Sequence, residues 1–310
     1  MADTFKQNSF SLFTPQEAER EIPLILSIPH SGRLYPQDMT DLSLLPDQVL
    51  RSSEDAFVDE LLSACFSLPL TILRANIARA YVDLNRHPSE IDSLLFDGPT
   101  EIACKRTAAV QAGLGVIPRT VGGGQAIYPN RIAASEAQKR LDTIYYPYHI
   151  SLQQQIDRLY KQFGCVYLLD MHSMPSIPDR KPKKGGKNRR PKLADIVLGD
   201  RWGTSCDAYL TSFVEESLNQ SGLITGRNTP YAGGFITRHY GQPMMNIHVL
   251  QIEICRDLYI VEDTLKKHDG FQPLHNQLTE LLQNLTRHLQ HRHLTEREQQ
   301  TEPAPQQAAE

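Results

Sequence analysis

No stretch of the 310-residue chain approaches the roughly 20 apolar residues that cross a bilayer, so no helical membrane span is expected. Cysteines are few and scattered: Cys65, Cys104, Cys165, Cys206 and Cys255, with no CxxC spacing. That spacing argues against a zinc ribbon or a redox dithiol, and the odd count against a disulfide framework. Small, semi-buried thiols in a reducing compartment are the simpler reading. The opening MADTFKQNSF lacks the basic stretch and apolar run of a secretory signal, and a cytoplasmic location is the expectation. A strong net charge is missing as well. At −4, with a pI near 6.3, the chain offers no global reason to expect nucleic acid.

Forty per cent of the residues are hydrophobic and 22% charged, the proportions of an ordinary globular protein. The charge is uneven. Residues 179–192 hold eight basic residues and one acidic, a local +7 that leaves −11 on the rest.

Three short apolar runs read as buried strands: Ile22 to Pro29, Cys165 to Asp170, and Asn246 to Ile254. Thr71 to Leu84 suggests another strand or pair of strands, and Leu193 to Leu198 one more. Helical spacing appears over Glu54 to Leu68 and Ser205 to Asn219, the latter with Ser205 near its N-cap. It appears again over Ser135 to Phe163, with a kink expected at Pro147, and from Gln272 to Leu294. Gly113 to Asn130 is a Gly/Pro-rich loop. This alternation predicts one α/β domain over 1–294, with a mixed, mostly parallel central sheet flanked by helices. A basic surface loop is inserted at 176–192, and a Glu/Gln/Pro/Ala-rich tail at 295–310 is expected to be disordered.

Three strands end at, or carry, residues fit for catalysis: His30 after the first, His172 in Asp170-Met171-His172-Ser173, and Glu253 in the third. Open α/β sheets form their sites outside the carboxyl ends of the strands, so residues far apart in sequence can meet there. Two neutral imidazoles and one carboxylate, with water in a fourth position, make a catalytic zinc set. A further carboxylate outside that set would take the water's proton. Spacing alone leaves two readings, since neither His30 nor His172 sits in an HxxH or HExxH string and a lone histidine after a strand can be purely structural. Arg79 and Arg86 lie beside the apolar run through Ala80-Tyr81-Val82. Either they grip a carboxylate in the two-pronged way of guanidinium, or they pair with acids of the protein itself.

The strings PHSG (29–32), SEDAFVDEL (53–61), RAYVDLNR (79–86), DMHS (170–173), GGFITRHYG (233–241) and QIEI (251–254) together resemble the N-formylglutamate amidohydrolase family. The order of parts is also similar to the broader zinc carboxypeptidase and aspartoacylase group, and the resemblance spans about residues 22–260. It implies a zinc carboxypeptidase-like fold and one zinc ion held by His30, Asp55 and His172, with Glu54 the neighbouring alternative to Asp55. It implies Glu253 as general base and later acid, and Arg79 as the stabiliser of the developing oxyanion. Asn85 and Arg86 would hold the substrate's free carboxylate. The Gly-flanked segment with Arg238, His239 and Tyr240 would be a substrate-binding loop in which Arg238 makes a second carboxylate contact; a structural turn is the other reading. The implied activity is hydrolysis of a small-molecule N-acyl amino acid, N-formyl-L-glutamate being the best match. Rival expectations are the same chemistry on another N-acyl amino acid or small peptide, or a non-catalytic relative that binds an anion or nucleic acid through its basic loop.

Overall fold

Apolar alternation builds a seven-stranded sheet from β1 (Phe10–Phe13), β2 (Leu24–Ile28), β3 (Thr71–Ala75), β4 (Val166–Met174), β5 (Ile196–Gly199), β6 (Thr225–Arg227) and β7 (Ile247–Cys255). The spatial order is β1-β3-β2-β4-β7-β5-β6. β1 runs antiparallel to β3, and β5 antiparallel to β7; the other pairs are parallel. The computed structural model describes residues 9–17, 21–98, 103–176 and 194–301.

Side chains alternate between the two faces of a strand. On one face Leu26, Leu169, Leu250 and Ile252 form a core with the helices Ala208–Gln220 and Phe271–Thr301, through Leu210, Val214, Leu278 and Leu285 among others. On the other face Ile25, Leu168 and Val249 pack against the helix Tyr146–Phe163, through Tyr148, Leu152 and Ile156. This second face changes character along the strands. Val166 and Leu168 give way to Asp170 and His172, and Val249 gives way to Gln251 and Glu253. The register sets His172 opposite Glu253, and Asp170 opposite Gln251 and Ser27. The amino-terminal half of this face is therefore core, and the carboxyl-terminal half is polar machinery.

Leu250 is fully buried in the first cluster. Leu250→Ala should lower unfolding free energy by about 2–5 kcal/mol, because the cavity left behind adds to the lost transfer energy. Urea denaturation checks this, and a loss below about 1 kcal/mol would contradict the packing described.

Several expected elements differ, each for a physical reason. The run from Arg79 to Arg86 is not a strand. β3 ends at Ala75, and the chain then turns across the carboxyl edge of the sheet, with Tyr81 N–H bonded to Ala78 O and Asp83 N–H to Val116 O. Its apolar residues are buried because that crossing segment is covered, not because it pairs in the sheet. The helix expected over 54–68 breaks at Phe57, whose φ of +62° ends any helical run; a turn at Val58–Leu61 and a 3-10 turn at Ser63–Ser67 remain. The long helix over 135–163 is interrupted by a π segment at Leu141–Tyr145, and Pro147 falls in the first turn of the helix that follows. A proline there loses no hydrogen bond that a helix start would make. Asp207, not Ser205, caps the next helix, accepting from Leu210 N–H at 3.1 Å. The final helix continues to Thr301, so residues 295–301 are helical where a disordered tail was expected. Residues 177–193, with most of the basic insertion, and 302–310 lie outside the described residues.

Candidate active site

His30 follows β2 by two residues, and His172 sits within β4. Asp55 reaches them from a loop whose backbone is tied down, its N–H donating to His30 O at 3.0 Å. All three side chains are buried. His172 Nδ1 stands 3.1 Å from His30 Nδ1 and 3.0 Å from Asp55 Oδ2, and His30 Nδ1 is 3.4 Å from the same oxygen. The far side of each ring faces a carboxylate: His30 Nε2 lies 2.8 Å from Asp83 Oδ1, and His172 Nε2 lies 2.8 Å from Asp170 Oδ2. A carboxylate only accepts, so each Nε2 donates to its acidic partner; His172 Nδ1 faces Asp55 Oδ2 as well, and either a proton or a metal ion must stand between them. Asp55 is sorted in the same way. Its Oδ1 accepts from Arg256 Nη2 and Ser173 Oγ, both at 3.2 Å, which leaves Oδ2 facing the imidazoles.

Three lone pairs converging in a buried space repel unless a cation or a proton lies between them. Ligands about 2.0–2.1 Å from a tetrahedral zinc ion stand roughly 3.3 Å apart, close to the 3.0–3.4 Å found here. The donor set therefore fits a divalent metal. Protonation shows the same demand for positive charge. Burial lowers the proton affinity of His172, but Asp170 and Asp55 outweigh it and hold the ring well above its usual range. Burial would raise Asp55, yet the two histidines hold it well below the ordinary carboxylate range.

Glu253 lies beside this cluster, its Oε1 accepting from Gln251 Nε2 at 2.8 Å. Burial pushes its carboxyl up to about 7; His172 and Arg79 pull it down, while Asp55 and Asp170 push it up. A carboxylate poised there can take and return a proton near neutrality. Gln251 is itself fixed by Gly234 N–H, which donates to its Oε1 at 2.8 Å.

These residues line a cavity of about 460 Å³ together with Arg79, Arg86, Ser52, Thr120 and Tyr231. Arg79 is anchored through Nε to Asp83 Oδ2 at 2.9 Å, and Arg86 through Nε to Leu114 O at 3.1 Å. Among the described residues neither arginine spends its Nη groups in a hydrogen bond, so both forks remain for a ligand. Asn85 also borders the cavity, but its Oδ1 accepts from Ile236 N–H at 2.7 Å and its Nδ2 donates to Asp170 Oδ2 at 3.3 Å. Its amide braces the site more than it offers itself.

Arg238 and His239 are not brought to the cavity. The expected loop is a short helix, Phe235–Tyr240, whose inward positions are Phe235, Ile236, Thr237 and Tyr240; Arg238 and His239 are exposed. His239 stacks on Phe235 instead, with ring centroids 4.8 Å apart. Glu54 points away from the cluster, accepting from Tyr35 Oη at 2.7 Å and Arg51 Nε at 3.1 Å. Asp83, Asp170, Gln251 and Arg256 belong to the site and were not singled out from the sequence. Two of them carried a signal: in a strand, residues two apart share a face, so Asp170 must accompany His172 and Gln251 must accompany Glu253.

Cys206, Asp207 and His248 form a second cluster of potential ligands at the opposite edge of the sheet. Burial pushes the Cys206 thiol up to about 12, Asp207 Oδ1 caps a helix, and His248 Nδ1 accepts from Asp207 N–H at 3.3 Å. Its polar atoms are occupied in holding that helix start.

A donor set fit for a divalent metal beside a carboxylate able to take a proton suits hydrolysis, and this sheet places it where α/β sheets bind their ligands. Residues 22–260 match the sequence profile of N-formylglutamate amidohydrolase, and the chain belongs to that family. It is 31% identical over 273 residues to the N-formylglutamate deformylase of Pseudomonas putida, covering 85% of this chain and 92% of that one. The Pseudomonas aeruginosa deformylase is 31% identical over 249 residues, covering 78% and 83%. The crystal structure of N-formylglutamate amidohydrolase from Ralstonia eutropha JMP134 superposes with a TM-score of 0.83 at 34% identity, covering 92% of this chain and 99% of its own. A structure from Agrobacterium tumefaciens, 18% identical with a TM-score of 0.61, shares the fold.

Proposed function

We propose that the chain is a zinc-dependent amidohydrolase that converts N-formyl-L-glutamate and water to formate and L-glutamate. The observation that carries this is the convergence of His30 Nδ1, His172 Nδ1 and Asp55 Oδ2 beside Glu253, in a cavity lined by Arg79 and Arg86, whose Nη groups make no hydrogen bond among the described residues. The likeness to deformylases of about 31% identity supports the choice of substrate.

His30, Asp55 and His172 would hold the metal, which when bound supplies Lewis acidity and lowers the pKa of water at the site. Glu253 accepts a proton from that water as its oxygen adds to the formyl carbon. Arg79, held by Asp83, faces the charge that develops on the formyl oxygen; one well-placed donor of this kind lowers the barrier by about 2.7–4 kcal/mol. The C–N bond then breaks, and Glu253 returns the proton to the departing nitrogen. Arg86 binds a carboxylate of the amino acid and holds it through both steps, with Asn85 bracing the wall beside it.

Formate release, measured against a panel of formyl, acetyl and succinyl amino acids with zinc content determined on the same preparation, tests this. N-formyl-L-glutamate should be turned over fastest, and chelation should abolish the reaction. Turnover of another acyl group alone would keep the chemistry and replace the substrate. Full activity in folded protein free of divalent metal would end the proposal.

A further inference from the structure

We propose that Arg256 is a positioning residue that fixes the Asp55 carboxylate for metal binding. This rests on the metal site proposed above. Asp55 is the one member of the triangle whose own backbone lies far along the chain from any strand, in the loop between the 3-10 turn Arg51–Ser53 and Phe57. No sheet ladder sets its backbone. Arg256 lies just beyond β7, three residues after Glu253, and is buried. Its guanidinium spans three segments. Nη1 donates to Ser52 O at 3.2 Å, and Nη2 to Glu54 O at 2.7 Å and Asp55 Oδ1 at 3.2 Å. Nε donates to Ser173 Oγ at 3.0 Å, and that hydroxyl donates to Asp55 Oδ1 at 3.2 Å. The loop bearing the acidic ligand, the strand bearing His172 and the strand bearing Glu253 are thus joined through one side chain.

Two effects oppose each other. A guanidinium beside Asp55 offsets part of the negative charge that attracts a cation, so on charge alone its removal would tighten metal binding. Its geometry acts the other way: it occupies Oδ1 and the loop carbonyls, and turns Oδ2 toward the imidazoles. Without it, Oδ1 loses one of its two donors, the carbonyls of Ser52 and Glu54 lose theirs, and the carboxylate loses part of what orients it. Positioning should win, because an outer partner of a metal ligand is worth about 10- to 100-fold in affinity.

The test is zinc affinity by competition with a chromogenic chelator, on protein shown folded by circular dichroism. Arg256→Gln should weaken binding about 10- to 100-fold. Arg256→Lys keeps the charge but cannot reach four acceptors, and should recover only part of the loss. Unchanged or tighter binding in Arg256→Gln, or full recovery in Arg256→Lys, would overturn the positioning role. If neither variant folds, Ser173→Ala removes the hydroxyl that bridges Arg256 Nε to Asp55 Oδ1 and leaves the direct Nη2 bond; several-fold weaker binding supports the role, and unchanged affinity overturns the three-segment clamp. Wild-type protein that binds no divalent ion would instead overturn the metal site itself, and this inference with it.

Discussion

Glu253→Gln should lower kcat by about 10²- to 10⁴-fold while zinc content and KM stay near wild type. The substitution keeps shape and a hydrogen-bonding partner for Gln251, but an amide cannot accept the water's proton. The wild-type pH profile should carry the same signature. With its carboxyl raised to about 7 by burial, Glu253 is protonated and idle in acid and becomes a base as pH rises, so activity should climb through that limb. A bound divalent cation favours the ionised form and moves the limb to lower pH. Steady-state kinetics of both proteins, with metal analysis, checks the point. A near-normal rate in Glu253→Gln would remove this residue from proton transfer.

Replacing His172 should be more severe. His172→Ala removes one of the three side chains proposed to hold the metal and leaves Asp170 and Asp55 buried around the gap. Loss of a ligand should cost more in zinc affinity than the about 10- to 100-fold of an outer partner, and turnover should fall with it. A further consequence concerns protons. In the absence of a cation, Asp170 and Asp55 hold a proton on His172 above its usual range. A metal must displace that proton, so affinity should weaken as pH falls, and binding near neutrality should release protons. Calorimetric titrations in buffers of different ionisation enthalpy measure the release. Zinc affinity that does not change with pH, or is retained in His172→Ala, would show that this ring is not a ligand.

Much of the scaffold can be read in the chain because burial imposes periodicity. The apolar runs around Leu26, Leu168 and Leu250 are strands, and each core strand ends near a chemically suitable residue. Elements that are apolar for other reasons mislead. Ala80, Tyr81 and Val82 are as buried as any strand, yet they belong to a covered turn. The segment around Arg238 looks like a glycine-framed binding loop, but its six middle residues close into a helix that turns Arg238 and His239 outward. Choosing between Glu54 and Asp55 was likewise beyond local pattern. A left-handed φ at Phe57 and the bond from Asp55 N–H to His30 O decide which carboxylate faces the histidines.

The amino-acid sequence by itself pointed to His30, His172 and Glu253 and to the strands that deliver them, because strand periodicity and side-chain type are local properties. Only the tertiary structure decided the protonation pattern, the facing of Asp55 and the clamp at Arg256. Apart from the Asp170–His172 contact within one strand, each of those depends on atoms contributed by segments that lie 25 to more than 200 residues apart in the chain and meet only once the sheet has formed.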